Sequence, residues 1–416
     1  MSSLKRKRED DDLELANSKP TRIAEPSSKV DAGRSPTIAS AADILSRLRA
    51  LLDLTSLTSH ADLSARFADI ADILLNHVVL RLATSSTSTD FEILELEFYL
   101  HKSECHEDPF THAAEEQRAS GKWYFHRAPR RTPAQSASTA RAPTAAGGYR
   151  GGTRKGLDLT FGSPVISPLP SESTSRFFPK PVSSPAPETP QNAVRGGILL
   201  RTLQNRESSK VFSGPSLLVD ELLRLSGATN ISDLVKSVWM EDTDTFTPPT
   251  ESEKTAASLR LHVRNVSGMP SKPKKIYRSP RIGLDLSNPG IPLPAGSDTQ
   301  ATLAHPRTYF LPKRYRFFVE PAVLTSNGRG HTLLGVRDDL VQSGTLHEHQ
   351  LAGRLESITG LKPATVLKYL GEYRTGQKGG LRTFVGAQGK GAGSSPVTFL
   401  RMLGCLDTLL ATPQKN

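Results

Sequence analysis

The chain has 416 residues, with 53 Lys plus Arg against 42 Asp plus Glu, a formal net charge of +11. That length allows one large core or two to three domains, and the positive balance favours polyanionic partners, nucleic acid first, although a basic tail alone accounts for part of it. Two cysteines, Cys105 and Cys405, exclude a disulfide framework and point to a reducing compartment. No apolar run is long enough to span a bilayer and the N-terminus has no signal-peptide core, so the expectation is a soluble intracellular protein without a membrane partner.

The opening "MSSLKRKREDDD" places Lys5, Arg6, Lys7 and Arg8 before an acidic run. Such a cluster reads as a nuclear import signal or as a solvated terminus, and both can hold at once. Residues 1–41 are rich in Ser, Pro and charge and are expected to be a disordered tail. Folded structure is expected from "ADILSRLRALLDL", where Ile44, Leu45, Leu48, Leu51 and Leu52 recur at helical spacing. "ARFADIADILLNH" reads as a second helix running into a strand at "VVLRLA", and "FEILELEFYL" as the next strand. Further apolar segments are "KWYFHR", "KGLDLTF", "GGILLRTLQ", the helix "GPSLLVDELLRLSG" and "KRYRFFVEPAVLTS". Stretches rich in Pro, Gly, Ser, Ala or Thr at 128–147, 163–193, 241–258 and 287–306 read as surface insertions in one scaffold spanning 42–325. Residues 326–416 form a C-terminal extension of helical pattern, with a helix-turn-helix-like hairpin over 346–374.

The chemistry centres on "FEILELEFYLHKSECHEDPFTHA", residues 91–113. As a strand it puts Glu95, Glu97 and Tyr99 on one face and Leu94, Leu96, Phe98 and Leu100 on the other. Spacing alone favours solvated strand surface for the polar face, because half-buried strands routinely alternate this way. The alternative is a chemical surface.

The order of motifs resembles the alkyladenine (3-methyladenine) DNA glycosylase family, in a divergent form. The resemblance rests on "DIADILLNHVVLRL", "ILELEFYL", "EDPFTHA", "GKWYFHR", "GGILLRTLQ", "SGPSLLVDEL", and "SPRIGL" followed by "KRYRFFV", in that order over roughly residues 60–320. It implies a single mixed α/β domain around a curved antiparallel sheet with flanking helices. It also implies hydrolysis of the N-glycosidic bond of an alkylated purine after base flipping, in double-stranded DNA, without metal or other cofactor. Carried over by position, Glu97 matches the general base, Arg201 the arginine that holds the attacking water, Tyr99 a base-stacking aromatic and His112 a histidine beneath the base pocket. Three positions depart from the pattern. His126, flanked by Trp123 and Tyr124, stands where the family has a second stacking tyrosine. Asp158 stands where an asparagine selects substrate bases, and Tyr149 is the candidate for the duplex wedge. The resemblance thus implies a monomeric base-excision repair enzyme of the nucleus.

Other signals support narrower readings. "GGYRGGTRKG" brings Tyr149, Arg150, Arg154 and Lys155 among glycines and reads either as a phosphate-contacting loop or as a flexible hairpin turn. His101, Cys105 and His106 lack a matching ligand pair elsewhere, so a loop with scattered histidines is expected rather than a metal site. "GAQGKG" lacks the spacing and Ser/Thr of a phosphate-binding P-loop. In the second helix of the 346–374 hairpin, Lys362, Thr365, Lys368 and Arg374 are expected outward, with Val366, Leu367 and Leu370 inward. Two further readings follow: a catalytically inactive nucleic-acid-binding protein on the same scaffold, and a transcription-factor-like protein driven by that hairpin.

Overall fold

The computed structural model describes residues 41–128, 148–162, 194–247, 255–264, 272–294, 299–324, 328–344 and 348–411. The basic cluster at Lys5–Arg8 and almost all of the expected insertions at 128–147 and 163–193 lie outside these residues.

Helix α1, Ala41–Leu51, buries Leu48, with Leu52 buried just beyond it and Ile44, Leu45 and Leu51 half-buried against the core. Helix α2, His60–Asp72, starts where the Ser59 hydroxyl accepts from the Asp62 N–H at 3.0 Å. It widens into a π turn over Ile73–His77 and feeds β1, Val78–Thr84. The next strands are β2, Ser88–Lys102; β3, His106–Glu107; β4, Trp123–Phe125; β5, Leu157–Phe161; β6, Val194–Asn205; and β7, Val211–Ser213. Helix α3, Pro215–Leu225, begins at Gly214, and a short α4, Ile231–Asp233, follows. Strands β8, Ala257–Val263, and β9, Tyr277–Ser279, precede helices α5, Thr299–Ala304, and α6, Pro306–Phe310, and then β10, Arg316–Phe318.

The fold is mixed α/β, built on a ten-stranded antiparallel sheet. Its main path runs β4-β5-β6-β2-β1-β8, with β10 joining β2 to β9. Fifteen-residue β2 is the spine: β6 pairs along one edge, while β1, β10 and β3 share the other in turn. Its apolar face meets α2, where Phe98 stacks on Phe67 with ring centroids 4.6 Å apart, and Phe161 stacks on both.

Two regions differ from the sequence reading. The 241–258 stretch carries the start of β8, a full strand paired with β1 from Ala257 to Val263, and 287–306 contains α5 and the buried Ile291 and Thr302. Beyond β10, helices α7, Arg329–Gln342; α8, Glu348–Thr359; α9, Pro363–Gln377; and α10, Pro396–Ala411, pack within one compact unit spanning 40–416. Helices α9 and α10 cross so closely that a Cβ on Gly376 would stand 2.1 Å from the Arg401 carbonyl oxygen. On α9, Val366 and Leu370 face inward and Lys362, Lys368 and Arg374 outward, but Leu367 is 61% exposed. Tyr369 and Tyr373 fill the inward positions instead, because the buried stripe follows a 3–4 residue repeat that passes Leu367 by. No described helix is long and apolar enough to cross a membrane.

Candidate active site

Cross-strand pairing puts the expected site residues in one row. Tyr124 on β4 pairs with Asp158 on β5, Asp158 with Leu199 on β6, Leu199 with Glu97 on β2, and Glu97 with Arg316 on β10. Paired residues point to the same side of a sheet, so these five share the face of β2 that also carries Glu95 and Tyr99. The expectation that this face is solvated is overturned: Glu97 is 0% and Glu95 2% exposed. The covering comes from far along the chain, from Ser279, Arg281 and Ile282 and from α7, whose Thr332 bonds Arg316 and whose Gly335 lies against Phe318 and the Arg278 carbonyl.

Glu97 makes three hydrogen bonds. Its Oε2 accepts from the Tyr99 hydroxyl at 2.7 Å and from Arg201 Nη1 at 3.3 Å, and its Oε1 accepts from the Ile282 N–H at 2.7 Å. Burial of Tyr99 and the neighbouring carboxylate push the phenol well above its ordinary pKa, so the hydroxyl stays protonated and donates. The Arg281 guanidinium lies 4.5 Å over the Tyr99 ring, paired through Nη1 and Nη2 with buried Asp108, so one ring face is already occupied.

Behind Glu97 sits a second carboxylate that the sequence reading placed on this face without giving it a role. The β2–β6 register shifts around Glu95, and both Arg201 and Thr202 reach it from β6. Arg201 Nε donates to Glu95 Oε1 at 3.1 Å, and the Thr202 hydroxyl to Oε2. Arg316 Nε donates to the same Oε1 at 2.6 Å, while its other nitrogens reach Ser279 Oγ and Thr332 Oγ1, both at 3.0 Å. Desolvation raises the Glu95 pKa, but Arg316 and Arg201 outweigh it and hold the carboxyl below its usual range. Arg201 is pushed above its ordinary pKa: desolvation opposes the charge, but Glu97 and Glu95 prevail. Two carboxylates against two guanidiniums close this buried network near neutrality.

At the other end of the row, His126 Nε2 lies 2.9 Å from Asp158 Oδ1, and Gln117 Nε2 donates to Asp158 Oδ2 at 3.3 Å. The strand order places Asp158 two strands from Glu97, about 10 Å at ordinary strand spacing. Exposed His112 meets His126 at a centroid distance of 4.3 Å. A stacking role for His126 meets an obstacle. A Cβ on Gly156 would fall 2.6 Å from its Cε1, so the backbone there lies directly against the imidazole. Tyr124 is buried, with its phenol pushed above the ordinary value by desolvation and then Asp158.

The basic loop is less open than its composition suggests. Tyr149 is half-buried, with its hydroxyl accepting from Arg127 Nη2 at 3.2 Å and the Arg127 guanidinium 4.6 Å over its ring, a geometry that pins it rather than projecting it as a wedge. Arg150 is tied back to the Arg127 carbonyl at 2.9 Å and Lys155 pairs with Asp220, leaving Arg154 as the exposed cation of the group. His106 is buried, its ring nitrogens 2.9 Å from the Leu100 carbonyl and from the Tyr315 hydroxyl. Among the described residues, no group of three or more His, Cys, Asp and Glu side chains is arranged to hold a metal.

The sequence reading therefore brought together Glu97, Tyr99, Arg201, Asp158, Tyr124, His126 and His112, and missed the roles of Glu95, Arg281, Arg316 and Thr332. Arg281 and Arg316 lie in the quoted "SPRIGL" and "KRYRFFV" motifs, and a buried carboxylate pair calling for cations is the signal that would have found them.

No protein-family model matches the chain. Residues amounting to 52% of it are similar to an uncharacterized protein of Acanthamoeba polyphaga mimivirus, 29% identical over 218 residues and covering 78% of that protein.

Proposed function

We propose that the protein is a DNA glycosylase that hydrolyses the N-glycosidic bond of an alkylated purine flipped out of a duplex. The observation that carries this reading is the Glu97 carboxylate, held by Arg201 and the Tyr99 hydroxyl on a sheet face whose far end carries His126 and His112. A carboxylate offers about four acceptor positions; three are used here, so one more donor, an attacking water, can be held. In the reaction the C1′–N bond breaks with its electron pair leaving on the base. Water oxygen bonds to C1′, and Glu97 takes the water proton while its charge stabilises the cationic sugar. Arg201, fixed by Glu95, keeps the carboxylate oriented. The net charge of +11 suits double-stranded DNA as substrate, and the Lys5–Arg8 cluster suits a nuclear site of action.

Complete burial of Glu97 favours a second reading, an inactive nucleic-acid-binding protein on the same scaffold. Incubation with a duplex containing 3-methyladenine or 7-methylguanine separates the two. The first reading predicts free base and an abasic strand; absence of release with every lesion tested, alongside binding that weakens steeply with salt, supports the second.

A further inference from the structure

We propose that Thr332 on α7 is a positioning residue for Glu97, so that the C-terminal helices form the back wall of the site. The inference rests on the glycosylase reading for its kinetic consequence and on geometry for the coupling itself.

Two routes connect α7 to the carboxylate. The first is polar: Thr332 Oγ1 accepts from Arg316 Nη2 at 3.0 Å, Arg316 Nε donates to Glu95 Oε1 at 2.6 Å, Arg201 Nε shares that oxygen at 3.1 Å, and Arg201 Nη1 reaches Glu97 Oε2 at 3.3 Å. Every member is at least nine-tenths buried, so the hydroxyl has no water to replace its role. The second route is steric. Gly328, at the start of α7 with φ +91°, lies so close to Ile282 that a Cβ would stand 2.2 Å from its Cδ1, and the Ile282 N–H holds Glu97 Oε1 at 2.7 Å. Neighbouring His331 locks the turn in place. It is 1% exposed, stacks on Phe399 of α10 at 3.4 Å, and neither ring nitrogen makes a well-formed hydrogen bond. Desolvation, then Arg316 and Arg201, hold it well below its ordinary pKa, so it adds no third cation beside the two guanidiniums. The α7 turn thus touches both oxygens of Glu97 through one intermediary or a short chain of them.

The test uses the full chain and two readouts. Thr332→Val keeps the shape and removes the acceptor; Thr332→Ser restores it. Single-turnover base release is expected to fall about tenfold in the Val variant, with duplex Kd changed less than about twofold, and to recover in the Ser variant. Independently of activity, the Arg201 side-chain ¹⁵N resonances, assigned through Arg201→Lys, are expected to shift in Thr332→Val and not in Thr365→Val on α9. Unmoved Arg201 resonances, or wild-type release by the Val variant, overturn the proposal. A shift of Arg201 in a protein that releases no base upholds the coupling and removes the glycosylase reading instead.

Discussion

On one face of β2, Phe98 clusters with Phe67 and Phe161 and Leu94, Leu96 and Leu100 are buried with it; on the other, Glu95 and Glu97 are equally buried among Arg201, Arg316 and Arg281. The first face is stabilised by area, about 1.5–3 kcal/mol for each large apolar side chain removed from water. The second gains little from burial itself, since taking charges out of water costs about what their attraction returns. Its value is geometric: all four carboxylate oxygens of Glu95 and Glu97 are fixed by donors, which a catalytic carboxylate needs and a hydrophobic core does not.

The largest effect that separates the faces is Arg316→Met. Removing this cation leaves Glu95 buried with a lost partner and should lower stability by about 3–5 kcal/mol in urea unfolding. Adding Glu95→Gln should recover part of that loss, since a buried pair replaced as a unit costs less than one broken. A double variant as unstable as the sum of the singles would show that the two side chains are not coupled. On the apolar face, Leu96→Ala should cost about 3 kcal/mol, and no second substitution on the polar face should recover it.

A pH series sharpens the contrast through His106, which packs on the apolar side against Phe67 and Tyr315. Desolvation lowers its pKa to about 4, with Asp108 opposing. The folded pKa lies below the unfolded value, so its contribution is complete above about pH 6.5 and is lost as pH falls toward 4, on the order of 2 kcal/mol by pH 4.5. His106→Gln should flatten that part of the urea-midpoint profile; an unchanged slope assigns the acid sensitivity elsewhere. The smallest effect belongs to the surface. Lys155→Ala breaks the pair with exposed Asp220 and should change stability by less than about 0.5 kcal/mol. Arg154→Ala should reduce the salt slope of duplex binding by about one if that cation contacts phosphate.

Much of the fold was legible from local pattern. The β-branched and apolar runs at 78–84, 88–102, 157–161 and 194–205 are the long strands that carry the site, and the alternation in β2 assigned Glu97 and Tyr99 to one face correctly. Strand β8 was missed although Leu259, Leu261 and Val263 alternate with Arg260 and His262, because Ser and Thr just before it resemble an insertion. The burial of the glutamate face was not legible. Its cover comes from Ile282, Arg316 and Thr332, which stand 185, 221 and roughly 240 positions beyond the glutamates they hold, directly or through a partner, and strand periodicity carries no information at that range. Residues 326–416 are the helical extension their pattern indicates, but the contact of its first helix with the site network was beyond the same limit.

The central claim is tested most directly by Glu97→Gln, measured for single-turnover base release and duplex affinity in the same preparation. Loss of about 10²–10⁴-fold in release with affinity kept is the predicted result. Release equal to wild type would show that some other group activates the water and would contradict the account.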